Sequence, residues 1–163
     1  MRRGVAVAAL ALAATCLLAA CGLRLQGREA TPQAFASAHV EAPDQQSEFV
    51  QALARSLAAS GVRVEQDAAR AEAVIRISRD LVGEQVLSVS ARNIPREYEL
   101  TYKVEFSVRK GEVELLAPQA AELTRDFTFD ETILLAKERE QRLLEEALAR
   151  DLAAIVMRQL AAL

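Results

Sequence analysis

Between Glu97 and Arg109 the chain alternates without a break. Tyr98, Leu100, Tyr102, Val104, Phe106 and Val108 fall on one side, and Glu97, Glu99, Thr101, Lys103, Glu105, Ser107 and Arg109 fall on the other. Successive side chains of a strand point to opposite faces, so this period of two describes a strand with one apolar and one polar face. A strand of that kind belongs in an antiparallel sheet whose apolar face is buried and whose polar face is wet or covered by a partner.

The segments around it supply the remaining layers. Phe35–Val40 is a short candidate first strand and contains His39, the sole histidine. Pro43-Asp44 breaks it, and Asp44 or Ser47 can cap a following helix. In that helix Phe49, Val50, Leu53 and Leu57 recur at helical spacing, and Gly61 is placed to end it. Val62 and Val64 continue as a brief extended segment. Ala73–Ile77 begins a second strand, with a bulge or bend near Arg79-Asp80 and Gly83 before Val86–Ala91 resumes the extended pattern. Arg92-Asn93-Ile94-Pro95 forms the hairpin into the alternating strand, and Lys110-Gly111-Glu112 turns out of it. A fourth strand ends near Leu123–Phe129. Ile133–Leu163 is mainly helix, with Leu144, Leu148, Leu152, Ile155, Val156 and Leu160 as its apolar stripe. The order β-α-β-β-β-α predicts an α+β, two-layer sandwich. Two helices pack on one face of a mixed, mainly antiparallel four-stranded sheet, in which the first and second strands run parallel.

The N-terminus carries a different kind of information. Met1-Arg2-Arg3 is followed by an apolar run to Leu18, and then Ala19-Ala20-Cys21. That order reads as a signal peptide over residues 1–20, cut so that Cys21 becomes the lipidated first residue. The run is short for a membrane span, which needs about 20 apolar residues. Residues 21–33 then form a polar tether and 34–163 a single domain. Gly22 stands where an aspartate would favour inner-membrane retention, so the outer membrane is the expected address. Cleavage removes Arg2 and Arg3 and leaves 18 basic against 23 acidic residues, a net charge of −5. A chain so acidic lacks the basic footprint of a nucleic-acid binder. Cys16 leaves with the signal and Cys21 takes lipid, so no disulfide or thiol nucleophile is expected.

Catalytic patterns are sparse. No Gly-rich phosphate loop, G-x-S-x-G elbow or metal-spaced His/Asp/Glu cluster occurs, and no cofactor or metal is expected. Asp126, Asp130 and Glu131 cluster after the fourth strand. They read either as a carboxylate pair or as helix N-terminal acids favoured by the helix dipole.

Several segments, in order, resemble the LptE family of lipopolysaccharide-assembly lipoproteins. They are Cys21-Gly22-Leu23-Arg24-Leu25, the helix end at Gly61-Val62, the strand Glu97-Tyr98-Glu99-Leu100, and Phe127-Thr128-Phe129-Asp130 with Leu135-Ala136-Lys137-Glu138. The resemblance implies a non-enzymatic protein that plugs the outer-membrane β-barrel LptD, assists its assembly and helps deliver lipopolysaccharide to the outer leaflet. It also implies lipopolysaccharide contacts at Arg92 and Lys137, where cationic donors meet lipid A phosphates. Read without it, Arg92 is an ordinary turn residue and Lys137 a solvated helix residue. An accessory lipoprotein of a lipid-transporting ABC system fits the same features, while the other alternative, a lipid-anchored hydrolase, needs a catalytic constellation that the sequence does not display.

Overall fold

The computed structural model describes residues 32–128 and 134–163, apart from the side chains of 134–138. The signal motif, Cys21 and most of the tether lie outside the described residues, as do Phe129, Asp130 and Glu131. The elements are β1 (Ser37–Glu41), α1 (Glu48–Ala59), β2 (Arg63–Val64), a 3-10 turn (Ala68–Arg70), β3 (Ala73–Val89), β4 (Pro95–Lys110), β5 (Val113–Thr128) and α2 (Leu134–Leu160). The sheet order is β2-β1-β3-β4-β5.

The alternating strand is β4, and its expected inner face is the core. Leu100, Tyr102, Val104, Phe106 and Val108 are all buried. They pack with Ile75 and Ile77 of β3, Phe49, Leu53 and Leu57 of α1, and Leu148, Leu152, Val156 and Leu160 of α2. Tyr98, expected on the same face, is only partly buried because it lies near the end of the helical cover.

The sheet has five strands rather than four. Gly61 adopts φ +90° after α1, a left-handed conformation that reverses the chain. Val62 N–H then bonds the Leu57 carbonyl, and Arg63 N–H and Glu65 N–H bond the Ala36 and Ala38 carbonyls. The brief extended segment at Val62–Val64 thus becomes β2, parallel to β1 at the sheet edge. Two residues are too few to carry a period of two, which is why only an extended segment was legible. β1 and β3 are parallel as expected, while β3, β4 and β5 form an antiparallel meander. The sheet is therefore mixed.

β3 is one strand of 17 residues, and the irregularity expected within it is a bulge rather than a bend. A register shift between Ile77 and Arg79 takes up the irregularity around Ser78. Extra residues of this kind raise local twist without ending a strand. The hairpin falls at Ser90–Ile94, where Asn93 holds φ 60° and Ser90 N–H bonds the Ile94 carbonyl. β5 fills the whole stretch from Val113 to Thr128, most of it alternating too weakly to read as strand.

One polar network fixes α1 on the sheet. Ser47 is the N-cap, and its hydroxyl accepts the Val50 N–H at 3.1 Å. The same hydroxyl donates to the Asp80 carboxylate of β3 at 2.5 Å. Tyr102 of β4 donates toward Asp80 and accepts the Phe49 N–H at 3.2 Å. Burial and the adjacent Asp80 charge push the Tyr102 hydroxyl far above an ordinary phenol, so it stays a donor at any physiological pH. Tyr102→Phe leaves a buried N–H and a carboxylate short of a partner. The expected cost is about 1–3 kcal/mol, read as a lower denaturation midpoint with unchanged secondary structure.

Candidate functional site

The three long strands outrun their helices. On β3 the core ends at Ile77, and from Leu81 to Leu87 every residue is exposed. The helix-facing side of β4 is fully buried only from Leu100 onward. Beyond that level the sheet projects as a three-stranded end, closed by the Ser90–Ile94 turn. Tyr98 and Phe127 stack there with ring centroids 5.5 Å apart, which stiffens the base of the projection.

Arg92 sits in the turn at the apex, and Arg96 follows at the start of β4; both are exposed. Neither makes an ion pair among the described residues. Lys137 falls in the first turn of α2. Thr128, the last residue of β5, pairs with Glu97, so β5 ends beside the hairpin, six positions before α2 begins at Leu134. The topology therefore brings the backbone of Lys137 to the same end of the fold as Arg92. Sequence reasoning passed over Arg96, whose signal was its place next to Pro95 at the foot of the same hairpin.

The sheet face opposite the helices is polar along most of its length. Arg76 bonds Glu41 through Nε at 3.0 Å and Nη2 at 3.3 Å. Arg79 pairs with Glu105 at 3.1 Å and Lys103 with Glu122 at 3.6 Å. Gln85 bonds Glu99 and Ser88 bonds Glu97. Each exposed pair contributes only about 0–1 kcal/mol, so the ladder sets surface character rather than stability. Asp126 faces out on this side opposite Glu99.

The opposite end of the sheet receives the tether. Lys110 donates to the Ala34 carbonyl at 2.8 Å, and Glu72 accepts the Ala36 N–H at 3.2 Å. That backbone bond and Lys110 hold the Glu72 carboxyl below the ordinary carboxylate range. His39 lies toward the tether end, in register with Val74 and through it with Arg109. It lines an open cleft of about 410 Å³ with Gln45, Gln51 and Glu65, and its Nδ1–H donates to the Glu65 carbonyl at 2.9 Å.

Against known families, the LptE model, described as lipopolysaccharide-assembly, matches residues 34–160. The chain belongs to the LptE family. It is therefore a non-enzymatic lipopolysaccharide-assembly lipoprotein. Among solved structures, an uncharacterized lipoprotein B from Nitrosomonas europaea aligns at TM-score 0.71 and 27% identity, over 86% of this chain and 91% of that one. The rare lipoprotein B from Shewanella oneidensis aligns at 0.67 and 27% identity, over 77% and 94%. A minor lipoprotein from Acinetobacter baumannii, at 20% identity and TM-score 0.65 over 78% and 92%, shares the fold. Comparison with curated proteins gave no match. Among the described residues of this LptE-family chain, no helix is long and apolar enough to cross a membrane.

Proposed function

We propose that this lipoprotein is held at the outer membrane by Cys21, seats in the lumen of the LptD barrel, and contacts lipopolysaccharide through Arg92 and Lys137. The observation that carries the reading is the opposition of its two ends. The tether enters beside Lys110, and Arg92 caps the other end of the hairpin that β4 completes. The 16 residues of β4 separate these ends by roughly 50 Å. A hydrocarbon core is about 30 Å thick, so a body tethered at one end reaches through a barrel with its cationic tip leading. The polar sheet face supports the same reading, because large barrels have polar interiors. Guanidinium groups of the hairpin, with a lysine whose backbone lies at the same end, match the phosphates of an anionic glycolipid.

Two measurements test it. Cys21→Ala should abolish fatty-acid labelling and leave precursor or unanchored protein; label equal to wild type defeats the anchor. A photo-crosslinking residue at Arg92 should capture lipopolysaccharide in envelopes, whereas one at Lys110 should not. Capture from Lys110 alone would reverse the assigned polarity.

A further inference from the structure

β3 is paired along only part of its outer edge. β1 covers Ala73–Arg76, while β4 lines the other edge from Val74 to Val89. Beyond Arg76 no strand among the described residues takes the outer backbone groups of β3. In an antiparallel ladder alternate residues direct their N–H and C=O away from the partner. About six residues between Ile77 and Val89 therefore present open backbone groups.

The side chains there do not suit an edge. By register Leu81 lies on the polar face opposite Lys103, while Val82 and Val86 lie on the helix side opposite Tyr102 and Tyr98. Leu87 falls in a register shift and Val89 pairs with Pro95. All five are exposed, from 44% at Val82 to 57% at Leu81. Apolar residues on both faces mark a strand whose two faces are both covered, and an unpaired edge is itself a template for another strand. Exposed edges are normally blunted by charge, proline or a covering segment.

We infer that the Asp80–Val89 edge of β3 is a strand-docking site, filled by an extended loop segment of the barrel partner that adds a sixth strand. The inference rests on the barrel reading above. A lipid acyl chain would cover the leucines and valines but leave buried backbone groups with no hydrogen-bond partner. A wall strand of a closed barrel has no free edge to offer, since its backbone is already paired all round. The long loops of such barrels do. Glu84 sets the chemistry of the occupant. It is exposed between Val82 and Val86 and has no ion pair among the described residues. Its complement is a lysine or arginine flanked by apolar, β-branched residues.

The test is amide hydrogen exchange on the full lipoprotein, alone and purified with its barrel. Alternate amides of Asp80–Val89, those not bonded to β4, should slow at least a hundredfold in the complex, while Leu100–Val108 stays slow in both. Glu84→Lys should lower the barrel recovered at least tenfold with circular dichroism unchanged. A complex in which the β3 amides exchange as in the free chain overturns the docking site and leaves the barrel reading standing. Failure to recover any barrel with the wild type overturns both. Equal protection in a dimer of the free chain overturns it in favour of pairing between two copies.

Discussion

Phe106→Ala should destabilise the domain by about 3–5 kcal/mol, the range for removing a large buried ring. Phe106 has no exposed surface and lies at the centre of β4, beneath the helical layer. Its strand neighbours are Ile77 on one side and Gln119 on the other. Close-packed interiors relax only partly around a missing ring, so a cavity term adds to the lost transfer energy. A domain of this size is stable by about 5–15 kcal/mol, so the substitution should shift the denaturation midpoint sharply without changing the slope. An unchanged midpoint would contradict the assigned core face. Leu81→Ala serves as the contrast. Its side chain is 57% exposed, and the free chain should lose little.

Reversing both tip charges should weaken lipopolysaccharide binding by at least about tenfold. A hydrogen bond to a charged group contributes about 1.5–3 kcal/mol, and about 1.4 kcal/mol corresponds to a factor of ten. Solvent exposure discounts each contact, while replacing a cation by an anion adds repulsion to the loss. Arg92→Asp combined with Lys137→Asp is the informative variant, measured on the purified domain with circular dichroism as the folding control. Arg92 lies outside the core in an exposed turn, so folding should survive its replacement. Added salt should weaken the wild type in the same direction, because exposed ionic contacts are screened over about 10 Å at 0.1 M. Full binding by a folded double variant would remove these two residues from the site. Arg96→Asp, one step along the same hairpin, should add to the loss.

What could be read from the sequence followed the strength of local periodicity. β4 alternates over the thirteen residues Glu97–Arg109, and its inner face was legible residue by residue. α1 was bounded by Ser47 and Gly61, each with a stereochemical reason to stand at a helix end. β2 was legible only as an extended segment, because its pairing depends on where Gly61 sends the chain. The unbroken length of β3 was hidden by Arg79-Asp80 and Gly83. Asp80 is a charged residue within a strand, and its carboxylate is held by Ser47 and Tyr102 from two other elements. Such a network is long-range and leaves no local mark. At the tip, Arg92 and Lys137 are 45 positions apart in the chain. Only the pairing of Glu97 with Thr128 brings their backbones to one end. The exposed edge of β3 did leave a signal, in the apolar pairs Leu81-Val82 and Val86-Leu87. A pair of that kind places apolar residues on both faces, which points to a strand covered on both sides.

The most direct test of the account is the partner recovered with the native lipoprotein. The protein, tagged after Leu163 and extracted gently from envelopes, should bring down a large outer-membrane β-barrel in stoichiometric amount. Lipopolysaccharide should accompany that complex. Recovery of an inner-membrane transporter assembly in place of the barrel, or of no partner at all, would contradict it.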